Sequence, residues 1–241
     1  EALQKEHEET LENIARYEDI LNNYESMAGV IMEELDSYKK EYGRKRRTVI
    51  ENAEEAVFEE KKVEEAEVGV LMDRFGYIKT VDKGIWERNQ ETIREEYQYS
   101  FCCSNMDKLC IFTEQGRMHT VKVLDLPSGR LRDKGMPIDN YGNYSIAKEK
   151  LLYLGALGEL KSQKLVFMTR KGMLKQVDGS EFDVAKRTIA ATKLAPDDEV
   201  VFVQPADTMD YVVLQSREGY FLRFLKEEIP EKKKSAIGVR G

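Results

Sequence analysis

The sequence predicts a mainly β chain of propeller-like blades, preceded by an α-helical, coiled-coil segment. Three observations carry that expectation: a strand–turn–strand unit occurs four times after residue 67, each copy turns on one glycine, and the first 42 residues follow a heptad instead. The four units run Val68–Lys79, Leu109–Lys122, Leu165–Lys175 and Tyr211–Arg223, turning at Gly76, Gly116, Gly172 and Gly219. Each is an apolar run, a turn and a second run ending on a basic residue. A glycine between two β-rich runs marks a hairpin, because it accepts positive φ without steric cost. The glycines lie 40, 56 and 47 residues apart, an interval that suggests radially arranged sheets with one hairpin per blade, hence four blades. Pro127, Gly129, Gly135, Pro137, Gly142, Pro196, Pro205 and Pro230 are assigned to the loops between strands.

Residues 1–42 read as one helix. Ile14, Tyr17, Leu21, Tyr24, Ala28, Ile31, Leu35, Tyr38 and Tyr42 step by three and four, a heptad stripe with Glu and Lys on the other faces. Gly29 interrupts the pattern, and Gly43 suits a left-handed cap. The length of the stripe favours one strand of a coiled coil over a helix packed on its own domain. Arg44, Lys45, Arg46, Arg47 and Thr48 follow, suited either to the helix C-terminus or to phosphate. The expected organisation is therefore 1–48 coiled-coil helix, 49–67 Glu-rich linker or short helix, and 68–241 β region.

The 241 residues carry a formal charge of −7, but the charge is split. Residues 1–67 hold 20 acidic and 10 basic side chains, whereas residues 68–241 hold 25 and 28. The β region is thus mildly basic, and its attraction for polyanions depends on clustering. Cys102, Cys103 and Cys110 are odd in number and form no C-x-x-C, so reduced core thiols are expected rather than a disulfide framework. No apolar run approaches the roughly 18–20 residues that span a bilayer. The chain opens on Glu1 rather than Met and reads as a piece of a longer protein.

Motifs for enzymatic chemistry are missing: there is no nucleophile elbow, no phosphate-cradling loop with Lys-Ser/Thr, and no H-E-x-x-H. Asp197, Asp198 and Glu199 read as a solvated turn rather than a metal site. His119 and Trp86 read as packing residues. Positive charge, by contrast, recurs after the hairpins. Arg130, Arg132 and Lys134 follow the second, Lys186 and Arg187 the third, and Lys232, Lys233, Lys234 and Arg240 the fourth. After the first come only Lys83, Arg88 and Arg94, diluted by Glu87, Glu91, Glu95 and Glu96. If each hairpin is a blade, equivalent loops share a rim and form a discontinuous basic track. Such a track suits duplex DNA held by its phosphates and bent along a curved surface. With Arg117, Lys122, Lys175 and Arg223 from the hairpins themselves, these residues other than Lys83 and Arg94 form the candidate DNA-binding set. No interleaving of aromatic and basic residues points to base stacking.

These residues resemble the A subunit of bacterial type IIA DNA topoisomerases, the DNA gyrase and topoisomerase IV family, across nearly the whole chain. Glu33-Glu34-Leu35 through Tyr42-Gly43-Arg44-Lys45-Arg46-Arg47-Thr48 resembles the end of the family's coiled-coil helix and the segment leaving it. Phe75-Gly76-Tyr77-Ile78-Lys79 resembles the first blade hairpin. Gly116-Arg117 through Lys122-Val123, then Leu126-Pro127 and Gly135-x-Pro137-Ile138, tracks the second. Glu181-Phe182 and Ala191-x-Lys193-Leu194 fit the third, and Gly238-Val239-Arg240-Gly241 the close of the fourth. The resemblance implies a C-terminal β-pinwheel that binds and bends DNA on a positive rim, with more blades than four, so that the chain would continue beyond Gly241.

It also implies a holoenzyme that uses magnesium and ATP in the cytoplasm at the nucleoid, away from any membrane. Its partners would be a second A subunit together with an ATPase B subunit. The catalytic tyrosine and its neighbouring arginine would lie upstream of Glu1. This chain would then be inactive alone and hold no cofactor or metal, and none of its 12 tyrosines is assigned to catalysis. Gyrase proper carries a Gln-Arg-Arg-Gly-Gly-x-Gly box in the first blade for wrapping DNA. The corresponding Ile85-Trp86-Glu87-Arg88-Asn89-Gln90-Glu91-Thr92 keeps one arginine and no glycine, which favours a topoisomerase IV-like role in relaxation and decatenation over supercoiling. The rival expectation is a propeller-like protein-interaction module on a coiled-coil stalk, without DNA binding.

Overall fold

The computed structural model describes residues 1–48 and 64–241, so the linker expected over 49–67 falls largely outside the described residues. The chain divides into two compact units, Glu1–Lys61 and Lys62–Gly241.

The first unit holds α1 (Ala2–Asn22) and α2 (Tyr24–Tyr42). The single helix expected here breaks at Asn23, not at Gly29. Asn23 is extended (φ −116°, ψ 115°), and its side chain accepts a hydrogen bond from the Glu25 N–H, capping the new helix. Ser26 Oγ donates to Asp19 Oδ2 (2.6 Å) across the break. A glycine inside a helix costs only about 1 kcal/mol relative to alanine, whereas asparagine offers a cap, so the chain breaks where a cap is available. Gly43 is not left-handed as expected: at φ −63° it is extended. The heptad stripe stays in solvent, its large members running from 47% exposed (Ile14) to 83% (Tyr24). Arg44, Lys45, Arg46 and Arg47 follow as exposed chain.

The second unit is mainly β, as the hairpins predict. Its elements are β1 (Glu67–Met72), β2 (Tyr77–Asp82), α3 (Lys83–Arg88), α4 (Gln90–Glu96), β3 (Tyr99–Ser104), β4 (Lys108–Thr113), β5 (Arg117–Lys122) and β6 (Met136–Pro137). They continue with β7 (Leu151–Ala156), α5 (Leu157–Leu160), β8 (Lys164–Thr169), β9 (Met173–Asp178), β10 (Thr188–Ala190), β11 (Val200–Pro205), β12 (Tyr211–Gln215), β13 (Phe221–Leu225) and β14 (Val239–Arg240). The four turn glycines all have positive φ, 69° to 87°, the conformation that side-chain-bearing residues resist.

Among the described residues the strands form four antiparallel sheets, ordered β3-β1-β2-β6, β10-β5-β4-β7, β11-β8-β9-β14 and β12-β13. The fourth sheet is its hairpin alone, whereas in the first three the hairpin supplies the middle pair. The strand after it joins one side, and the other side is completed by a strand from beyond the next hairpin. Met136 and Pro137 pair with Ile78 and Tyr77, Thr188–Ala190 with His119–Arg117, and Val239 and Arg240 with Leu174 and Met173. This corrects the sequence-based grouping. Gly135-x-Pro137 closes the first sheet rather than the second, and Gly238-Val239-Arg240 the third rather than the fourth, while residues 188–190 close the second. Pro137 and Pro205 lie in strands, not loops, at edges where a missing N–H is tolerated.

Alternate residues of each central strand enter different cores. Leu109 and Ile111 of β4 pack with Val70, Met72 and Ile78 of the first sheet. Cys110 and Phe112 pack with Leu165, Phe167 and Val177 of the third. Val166 and Leu174 of the third sheet meet Val212 of the fourth. Strands buried on both faces read as continuous apolar runs, which is why the hairpins show no polar alternation. The remaining face of the first sheet is covered by helices: Leu71 and Val81 pack with Ile93, Trp86, Tyr97 and Leu131. Trp86 is a packing residue, as expected, set so close to Gly69 that a Cβ there would lie 2.7 Å from its ring. The chain turns at Pro196 and Asp197, and Asp198 Oδ1 accepts from the Lys171 and Glu199 N–H groups.

Candidate nucleic-acid interface

Strand exchange forces the chain, after each later hairpin, to cross back over the preceding sheet. Each crossing segment starts on a buried apolar residue: Leu126, Phe182 or Ile229. Each then lies along the second strand of the earlier hairpin. Thr80 N–H donates to Pro127 O (2.9 Å) and Gly129 N–H to Thr80 O (3.0 Å). Gln176 N–H donates to Pro230 O (3.0 Å) and Lys232 N–H to Gln176 O (2.8 Å), and on the middle sheet Thr120 N–H donates to Arg187 O (2.8 Å). The basic clusters ride on these crossings. Arg130, Arg132 and Lys134, then Lys186 and Arg187, then Lys232 and Lys233 are all exposed, against equivalent strands of three consecutive sheets.

The crossings are held from below. Three residues after the turn glycine, β2 and β9 carry Lys79 and Lys175, each 1% exposed. Lys79 Nζ donates to Arg130 O (3.1 Å), Leu131 O (2.7 Å) and Asp133 O. Lys175 Nζ donates to Lys233 O (3.2 Å), Lys234 O (3.0 Å) and Ala236 O (2.7 Å). Three acceptors satisfy all three N–H groups of an ammonium. Burial pushes Lys175 down to about 8, so it still carries its proton at neutral pH. Each of these crossings ends on a glycine, Gly135 (φ +77°) or Gly238 (φ +108°). A Cβ there would lie 2.5 Å from Ile78 O or 2.6 Å from Leu174 O, so glycine is required for φ and for the approach of the next strand.

The middle sheet differs. Its crossing is shorter, and His119 stands where the first and third sheets have lysine. His119 Nδ1 meets Thr188 Oγ1 (3.0 Å), and Nε2 meets Glu149 Oε2 (3.1 Å), which also accepts from Thr113 Oγ1 (2.7 Å). Burial opposes charge on Glu149, but hydrogen bonds from Thr113 and His119, with the charges of His119 and Arg117, outweigh it and hold its carboxyl below the usual carboxylate range. His119, read from sequence as structural, is buried in β5.

Other residues expected from the sequence to contact DNA are placed less favourably. Lys175 is corrected outright: it is buried and saturated by carbonyls, so it is not a surface contact. Lys234 is half-buried, its ammonium donating to Glu181 O and its N–H to Glu181 Oε2 (3.0 Å). Arg117 pairs with Glu149 Oε1 (3.2 Å). Lys122 is exposed at the end of β5, opposite Lys108. Arg223 is exposed and stacks on Tyr211 at 3.8 Å, and Arg240 is exposed on β14. Arg88 is exposed on α3, its Nε bound to Gly84 O (2.8 Å). Lys79, Tyr97 and Glu149 were missed as elements of the site. Only the recurrence of a basic residue at the end of each hairpin pointed to Lys79, and a buried lysine is not expected from composition. The helices α3 and α4, also unexpected, bring Glu87, Glu91, Glu95 and Glu96 to the surface beside the first crossing, and Tyr97 Oη donates to Leu131 O (3.1 Å).

The fold of this unit is a β-pinwheel, a propeller-like arrangement whose blades exchange strands. Residues 163–207 and 210–241 match the family model described as the DNA gyrase C-terminal domain, β-propeller. The chain is 31% identical over 255 residues to the DNA gyrase A subunit of Lawsonia intracellularis, covering all of this chain and 31% of that protein. It is 26% identical to the same subunit of Clostridium acetobutylicum, covering all of this chain and 30% of that one. The chain thus spans about a third of the length of these relatives. Among solved structures, the C-terminal domain of DNA topoisomerase IV superposes with a TM-score of 0.63 at 24% identity, over 74% of this chain and 58% of that one. The E. coli ParC C-terminal domain gives 0.57 at 13%, over 73% and 71%. In sequence and in fold the chain matches the C-terminal portion of bacterial type IIA DNA topoisomerase A subunits, those of DNA gyrase and topoisomerase IV.

Proposed function

We propose that residues 62–241 bind duplex DNA through phosphate contacts along the strand crossings and bend it, presenting it to an ATP-dependent strand-passage enzyme. The observation that carries this reading is the placement of three exposed basic clusters at equivalent positions on consecutive sheets. Each cluster is borne by a backbone already fixed by hydrogen bonds. The clusters present cationic side chains, Lys134 Nζ lying 4.1 Å from the Tyr77 ring, and cationic contacts suit sequence-tolerant binding to phosphate. Lys122, Arg223 and Arg240 extend the basic surface, while Arg88 stands among glutamates and contributes least.

The intact protein, on this reading, works at the nucleoid with a second A subunit plus an ATPase B subunit, using magnesium and ATP. Among the described residues no cluster of His, Cys, Asp and Glu is arranged to hold a metal ion. Among the described residues, too, no helix is long and apolar enough to cross a membrane.

The first sheet favours a topoisomerase IV-like role. In place of a glycine- and arginine-rich box, its rim carries α3 and α4, anchored by Trp86 and Ile93 and rich in glutamate. That surface repels a wrapping duplex where gyrase would hold it. The test is binding to relaxed circular DNA at low salt, followed by topoisomerase I treatment to score trapped writhe. Binding with little trapped writhe is expected. Strong chiral wrapping would overturn the topoisomerase IV-like assignment, and no binding would overturn the DNA reading in favour of an interaction module.

A further inference from the structure

The third residue after the turn glycine is Lys79, His119 or Lys175 in the three completed sheets and Leu222 in the fourth hairpin. The first three are buried, and each is bound to the segment that crosses its own sheet. Lys79 takes three carbonyls of residues 130–133, Lys175 three of residues 233–236, and His119 the hydroxyl of Thr188, directly after Lys186 and Arg187. The carbonyls accepting from Lys79 and Lys175 belong to residues within or beside the exposed cationic clusters. A carbonyl fixed in direction restrains the peptide plane it belongs to, and with it ψ of its residue and φ of the next, which narrows where the neighbouring side chains leave the chain. Charge-assisted hydrogen bonds in a buried setting are about twice as strong as neutral ones. The exposed cations therefore sit on backbone more rigidly held than loop backbone normally is.

We propose that Lys79, His119 and Lys175 are positioning residues for the DNA-binding surface. From inside the sheets they hold the crossing segments in the pose that points Arg130, Arg132, Lys134, Lys186, Arg187, Lys232 and Lys233 at duplex phosphates. They touch no DNA themselves. This rests on the DNA-binding reading above and deepens it: affinity is set by buried residues that no map of surface charge would select. The first clamp is reinforced by Tyr97 Oη on Leu131 O and by Asp133 Oδ2, which accepts from the Arg130 N–H (2.7 Å). The third is reinforced by Glu181 on Lys234.

The test uses the full 241-residue chain and the substitutions Lys79→Leu and Lys175→Leu, since Leu222 occupies the same strand position in the fourth hairpin. Binding to a duplex of arbitrary sequence is measured across a salt series, beside hydrogen exchange of the amides of residues 129–136 and 231–238. If Arg130, Arg132 and Lys134 each neutralise one phosphate, Lys79→Leu lowers the salt slope by about 3. It then has no further effect once those three are replaced by alanine, and exchange quickens in 129–136 but not in β4 or β8. Lys175→Leu does the same for 231–238 alone. A merely structural role would weaken binding equally in both backgrounds, and that result overturns the proposal, as does an unchanged slope. If the unsubstituted chain fails to bind duplex, the DNA reading falls. Exchange then judges the clamp by itself, unchanged rates in both segments overturning it.

Discussion

Glu149 and Gly135 show how much of this fold hangs on single groups. Glu149 is 6% exposed and accepts from Thr113, His119 and Arg117. Its carboxyl is held below the usual value of 4.5. A depressed carboxylate contributes stability that is complete above its unfolded value and is lost as pH falls through the lower folded one. Thermal melts from pH 6 down to pH 2 are therefore expected to fall more steeply for the unsubstituted chain than for Glu149→Gln. At neutral pH that variant should be less stable by about 1–3 kcal/mol, the cost of a buried hydrogen-bond group left badly matched. Gly135→Ala places a Cβ against Ile78 O at positive φ. Urea unfolding is expected to show a loss of about 1–3 kcal/mol, with β6 released from β2.

At the scale of the element, the joints between sheets carry the stability. Phe182 follows β9, is fully buried, and meets Phe112 edge-on with centroids 5.0 Å apart and Phe167 at 6.1 Å. It links the second and third sheets, so Phe182→Ala should cost about 3–5 kcal/mol in chemical unfolding. The hairpins were legible in the sequence because their cause is local: an apolar run, a glycine able to take positive φ, and a second run within a dozen residues. The strand exchange was not. It pairs Thr80 with a segment 47 residues on, through edge strands of two or three residues that are too short to show any period. Helices α3 and α4 were hidden for a related reason. They exist to cover Leu71 and Val81 on a sheet face, a need that appears only once the sheets are assembled. The break at Asn23 was readable as a cap, but the eye is drawn first to Gly29.

On the scale of the molecule, a net charge of −7 conceals a basic β unit, and the basic residues of the proposed DNA-binding surface are those on the strand crossings. The loop clusters could be picked out in the sequence as runs of charge between strands. Lys175 could not be told apart from them, because recurrence marks structural lysines as readily as surface ones. On the proposed function, the acidic helices at the first sheet limit how far a duplex follows the surface. Raising ionic strength should therefore release DNA without altering the fold, since the cores between the sheets are apolar.

The measurement that bears most directly on the account is the slope of log Kd against log salt for a duplex of arbitrary sequence. It is compared between the unsubstituted chain and one with Arg130, Arg132, Lys134, Lys186, Arg187, Lys232 and Lys233 replaced by alanine. Seven phosphate contacts give a slope of about +6, Kd rising with salt, and the substituted chain should lose nearly all of it while keeping its melting temperature. Equal slopes in the two chains would contradict the claim that these crossings form the DNA-binding surface.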